Sequence, residues 1–101
     1  MVQQKVMIKF AKMGQMRFIS HLDLMRLFQR AARRAEIPIE ITKGFSPHPR
    51  LSIEPALKLG LESRDLKAVF KLEGWMKAGD VRERLQHQLP EGIEILDVNV
   101  C

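Results

Sequence analysis

A chain of 101 residues, 46% hydrophobic and 29% charged, has the make-up of a soluble globular protein and the length of a single domain over residues 1–101. Its 17 Lys and Arg against 12 Asp and Glu, a net +5, favour acidic partners such as nucleic acid. No apolar run reaches the roughly 20 residues that span a bilayer, the opening residues form no secretion signal, and the lone Cys101 excludes an internal disulfide or a cysteine metal cluster, so a cytoplasmic protein without membrane attachment is expected.

Residues 5–11 are apolar and partly β-branched and predict a strand, with Val6, Ile8 and Phe10 on one face and Met7 and Lys9 on the other. Lys12-Met13-Gly14-Gln15 predicts a turn, and residues 16–19 a short apolar lead into a helix. Ser20-His21-Leu22-Asp23 has the form of a capping box: the Ser20 hydroxyl can accept from a backbone N–H, and Asp23 meets the positive end of the helix dipole. The spacing predicts a helix over 21–35 that buries Leu24, Leu27, Phe28, Ala31 and Ala35. Arg26, Arg30, Arg33 and Arg34 gather on its other side. Such a stripe is either a solvated face, helped by cations near a helix C-terminus, or a ridge that follows phosphates. Pro38 ends the helix. Ile37, Ile39 and Ile41 then alternate with Pro38, Glu40 and Thr42, which predicts a strand.

That strand runs into Lys43-Gly44-Phe45-Ser46-Pro47-His48-Pro49-Arg50, the stretch least suited to helix or sheet. Gly44 permits a positive φ. Pro47 and Pro49 fix their own φ and bias Ser46 and His48 toward extended geometry. A stiff loop presenting Lys43, Phe45, Ser46, His48 and Arg50 is expected, which is either a rigid turn or a binding element. Between Arg17 and Arg50 stand seven cationic residues against three acidic ones, so most of the positive excess lies in this third of the chain.

Residues 51–54 predict a strand broken at Pro55, with residues 56–59 continuing it as far as Gly60. Residues 61–65 read as a connection. Leu66, Ala68, Phe70 and Leu72 make one face of a strand over 66–73, stopped by Gly74. Trp75 is expected to close the edge of the core. Asp80 is expected to cap a helix over 81–89 with a thin stripe of Val81 and Leu85. Pro90-Glu91-Gly92 ends it, and Ile93, Ile95, Leu96, Val98 and Val100 give a last strand. The order is that of an α+β fold, a ferredoxin-like split βαβ with an antiparallel sheet, two helices on one face and an extended middle hairpin.

Of three histidines, His87 falls on the exposed side of the second helix. His21 and His48 are the candidates for acid–base chemistry, since two imidazoles near cations can cleave RNA without a metal. Asp23 is an alternative partner for His21. No Ser-His-Asp arrangement, Gly-rich phosphate loop, dinucleotide fingerprint or metal-ligand spacing is present.

Two stretches also carry a resemblance. Lys9-Phe10-Ala11-Lys12 with Gly14, then Arg17-Phe18-Ile19-Ser20-His21-Leu22-Asp23-Leu24, resembles the opening of the radical SAM-linked protein family, a domain of unknown function numbered 2344. Gly44-Phe45-Ser46-Pro47-His48-Pro49-Arg50-Leu51-Ser52 is similar to its second signature, and Ala56-Leu57-Lys58-Leu59-Gly60-Leu61-Glu62-Ser63 to its apolar follow-on. Members are fused to, or encoded beside, radical SAM proteins and are longer, so the resemblance implies that this chain is a truncated or minimal version. The resemblance implies a radical SAM partner that holds the iron–sulfur cluster and S-adenosylmethionine, with no cofactor on this chain. The expectation is a non-catalytic accessory domain that binds the partner's substrate, with RNA as the substrate class that the cations favour. Arg17, His21, Arg26, Arg30, Arg33, Lys43, Phe45, Ser46, His48 and Arg50 are its candidate contacts. Cations would neutralise phosphates, Phe45 would stack on a base, and the histidines would donate hydrogen bonds. The alternatives are a module that docks on the radical SAM protein, and a metal-independent ribonuclease using His21 and His48.

Overall fold

Strict alternation builds the centre of the sheet. In a computed structural model that describes residues 3–100 (of Gln3, the backbone), strand β1 (Gln3–Lys12) buries Val6, Ile8 and Phe10 and turns Lys5, Met7 and Lys9 the other way. Cys101 lies outside the described residues. A 3-10 helix (Gly14–Phe18) takes the place of the expected turn and apolar lead. Helix α1 (His21–Arg34) starts as its capping box predicts, with the Asp23 N–H donating to Ser20 Oγ at 3.1 Å. It buries Leu24, Phe28, Ala31 and Ala32, while Leu27 is only partly covered.

Strands β2 (Leu51–Glu54) and β3 (Ser63–Glu73), helix α2 (Ala78–Gln88) and strand β4 (Ile93–Val100) complete the chain. The sheet runs β2-β3-β1-β4, with every neighbouring pair antiparallel. Each helix therefore joins two parallel strands that have a third between them, which is the split βαβ, ferredoxin-like arrangement expected. Both helices and all four strands feed one core cluster, so both helices cover the same face. Phe28 ties the layers together, with its ring 4.7 Å from Phe10 and 6.2 Å from Phe70, centre to centre. Among the described residues no helix covers the opposite face of the sheet. Among the described residues no helix is long and apolar enough to cross a membrane.

Some details differ from the sequence reading. Residues 37–42 form no regular strand; they hold two isolated bridges, Ile39 to Leu72 and Ile41 to Pro49. Pro38 and Pro49 lack the N–H groups that a continuous ladder needs. Residues 56–60 form no strand, and β3 begins at Ser63, inside the stretch read as a connection. Helix α2 begins at Ala78 after Lys77, which makes no side-chain cap bond; Asp80 sits in the first turn instead. Trp75 is 63% exposed and does not close the core. Buried Gln4 fastens that segment, donating from Nε2 to the Met76 carbonyl at 2.9 Å and accepting from the Met76 N–H at 3.0 Å.

One side chain finishes the sheet at its outer edge. Gln86 of α2 donates to the Ile93 carbonyl at 3.0 Å and accepts from the Ile95 N–H at 2.6 Å. Its carboxamide supplies the donor and acceptor that a neighbouring strand would.

Candidate functional site

The loop emerges from within one line of chain beside β3. Upstream of it, the Glu73 N–H donates to the Pro38 carbonyl at 2.8 Å and the Glu40 N–H to the Lys71 carbonyl at 2.7 Å. Downstream, β2 pairs with β3 from Leu51 opposite Phe70 to Glu54 opposite Lys67. Both segments run antiparallel to β3, and the residues between them are extruded as a small hairpin of their own. Its limbs are joined by the Arg50 N–H to the Glu40 carbonyl and the Thr42 N–H to the His48 carbonyl, both at 2.8 Å.

Thr42 and His48 fasten the neck. Thr42 Oγ1 accepts from the His48 N–H at 3.1 Å and lies 3.2 Å from His48 Nδ1. Nδ1 is also 2.9 Å from the Ser46 carbonyl oxygen. A carbonyl can only accept, so where this bond is made it is Nδ1–H that donates. Beyond the neck, Gly44 has φ +145°, with nothing near the place where a Cβ would be. At the tip Phe45 is fully exposed. A large aromatic ring held out in water by a short, tied loop packs against nothing in its own chain.

The candidate contacts divide into three groups. Lys43, Phe45, Ser46, His48 and Arg50 share the loop, with Arg50 Nε 3.5 Å from Glu40 Oε2. A depression of about 260 Å³ joins His48 and Arg50 to Thr42, Ser52, Val69 and Lys71 on the uncovered face of the sheet. Arg33 borders the loop from the other side, in a groove of about 190 Å³ with Ile39, Ile41 and Pro49. Arg26 and Arg30 lie farther back on α1. Arg26 Nη1 is 3.5 Å from Asp23 Oδ1, and Arg30 faces a hollow shared with Arg34 and Gln88 of α2.

Arg17 and His21 form the third group, at the far end. Arg17 donates to the Gly14 carbonyl at 2.9 Å, and its guanidinium lies 4.2 Å from the centre of the Phe18 ring. His21 opens α1, whereas the loop follows the end of that helix, and a 14-residue helix spans about 20 Å. The Ile39 bridge to Leu72 fixes the loop end beside the start of β1, while Lys12, at the other end of β1, pairs with Ser63. His21 and His48 thus stand at opposite ends of the molecule and do not share one reacting phosphate.

The sequence reading passed over the uncovered sheet face. Lys5, Met7, Val69, Lys71 and Ser52 reach it beside the loop. The signal was present in the period-2 alternation that put Met7 and Lys9 opposite the core residues of β1. Among the described residues no three His, Cys, Asp or Glu side chains gather as metal ligands.

A family model described as an uncharacterized protein conserved in bacteria (DUF2344) matches residues 5–101. No curated protein and no solved structure matches the chain.

Proposed function

The chain belongs to the DUF2344 family of uncharacterized proteins conserved in bacteria, and we propose that it is a non-catalytic, cytoplasmic accessory domain that binds RNA on behalf of a radical SAM enzyme. In this reading the iron–sulfur cluster and S-adenosylmethionine belong to the enzyme. This chain has one cysteine and could not supply a three-cysteine cluster motif.

The extruded loop carries the reading. It holds Phe45 out in water, where a base can stack on it, between cations that suit phosphates. Arg33 extends the charge along one flank, and His48 and Arg50 extend it onto the sheet. Little conformational freedom is lost on binding, because Thr42 and His48 already tie the neck.

The test is binding to total cellular RNA at low and high salt by the chain and by its Lys43→Ala/Arg50→Ala variant. The variant is expected to bind about tenfold more weakly at low salt and with a flatter salt dependence. A loss of no more than about twofold would count against phosphate contacts at the loop.

A second reading, a module that docks on the radical SAM protein, is favoured by a different surface. Phe18, Leu22, Leu59 and Leu61 are large, apolar and exposed, and the Gly60 N–H donates to the Arg17 carbonyl at 2.7 Å, joining their two segments. Co-purification that survives high salt and fails in Phe18→Ser would support it, and loss of co-purification at high salt would oppose it. The two surfaces lie at opposite ends of α1, so both readings can hold for one molecule.

A further inference from the structure

The uncovered sheet face is ordered in rows that the strand register makes visible. In the row nearest the loop, Lys5 of β1 stands directly opposite Lys71 of β3, and the Lys71 N–H donates to the Arg50 carbonyl at 3.1 Å. Three cations thus line up across neighbouring chain segments. Two residues along, the row is neutral: Ser52, Val69, Met7 and Asn99, each opposite the next. Two residues further, Lys67 and Lys9 also stand opposite each other, but Glu54 faces Lys67 and Asp97 faces Lys9. Asp65 Oδ1 adds a second acid 3.7 Å from Lys9 Nζ. The far row is therefore balanced by its flanks. Near the loop, Glu40 meets Arg50 and Glu73 ends β3, while Lys5 and Lys71 face each other.

Like charges set directly opposite in a sheet destabilise it. The first row accepts that cost next to the loop that carries Lys43. We propose that this row and the neutral row beside it bind one nucleotide of single-stranded RNA, the phosphate between Arg50, Lys71 and Lys5, the base over Val69 and Met7. This rests on the RNA-binding reading above and places the strand's path across the sheet from the loop. The rows are about 7 Å apart along the strand, so a phosphate on one and its base on the next is a natural spacing. Val69 and Met7 are half-buried and make a flat apolar shelf, and the Met7 thioether suits the face of a base. Ser52 offers a hydroxyl at the shelf's edge to a base edge or a 2′-hydroxyl. Sheet-face RNA readers stack bases on aromatic residues. Here Phe10 and Phe70 point into the core, so phosphate contacts carry more of the binding and little sequence preference is expected.

The experiment compares two lysine pairs that remove the same charge from the same face. Binding of a fluorescein-labelled single-stranded oligouridine is followed by anisotropy at about 50 and about 200 mM salt. Lys5→Ala/Lys71→Ala is expected to weaken binding at least tenfold and to lower the salt slope by about two. Lys9→Ala/Lys67→Ala is expected to weaken it by about twofold or less, since these lysines already have acidic neighbours. Lys5→Glu places a carboxylate opposite Lys71 and should raise the Tm by about 2 to 5 °C while binding falls further. Equal losses from the two pairs, or a fall in Tm with Lys5→Glu, would overturn the proposal. Binding that survives in Lys5→Ala/Lys71→Ala but is lost in Lys43→Ala/Arg50→Ala would overturn the sheet path and leave the loop reading standing. No binding by the unaltered chain would overturn both.

Discussion

Phe45 and Lys12 are opposite exceptions to the rule that apolar side chains go in and charges stay out. Phe45 is out because the neck of its loop leaves it nothing to pack on. Lys12 is in because it continues the alternation of Val6, Ile8 and Phe10 onto the core face at the end of β1, where it is 2% exposed. Burial lowers the Lys12 pKa from its ordinary 10.5 by disfavouring the charged form. The folded chain then binds this proton less tightly than the unfolded chain does. The cost is fully present below the folded pKa and fades as pH rises from there through 10.5. Lys12→Met is therefore expected to raise the Tm at neutral pH and to lose that advantage in the alkaline range, as thermal melts across pH would show. An advantage that stays constant with pH would assign the gain to packing and not to charge.

The elements show which parts of the fold are local and which are not. The sites of β1, β3, α1 and β4 follow from alternation, helical spacing and the Ser20–Asp23 cap, all of which lie within a few residues of chain. The extrusion of the loop was not legible, because residues 38–40 and 51–54 become one line only when both find β3. Ile37, Ile39 and Ile41 have a strand's pattern, yet the chain turns away at Ile41 to make the hairpin. The cationic row escaped for the same reason: Lys5 and Lys71 are 66 positions apart, and only register sets them side by side. Stiffness of the loop was legible in part, from its prolines; its closure by Thr42 was not. Thr42→Val keeps the β-branched shape and removes the hydroxyl that accepts from His48. It should leave the Tm within a few degrees and weaken RNA binding severalfold, because the loop must then be ordered on binding. Amide exchange at His48 would report the opening directly, and unchanged exchange would mean that the backbone bond from Thr42 to His48 suffices.

At the scale of the whole molecule, the fold sends its special features to two ends. Helix α1 holds the loop with Phe45 about 20 Å from the apolar segments around Phe18 and Gly60. A single layer of helices leaves the other sheet face bare, and that face meets the loop end through Arg50, Ser52 and Lys71. Bare sheets bring a second hazard, at their rims. A strand's unpaired rim is a template on which another copy can add. The clasp that Gln86 makes on Ile93 and Ile95 occupies the start of the outer rim of β4, so it is expected to act as a stopper against self-addition there as well as a brace for α2. Gln86→Leu should leave the fold in place and free two backbone groups to recruit a neighbour. Light scattering or sedimentation at rising protein concentration would then show the variant growing into larger species while the unaltered chain keeps its size. On that outcome one carboxamide keeps the start of β4 from templating a polymer, and so helps to keep the sheet's bare face available to something other than another copy of itself.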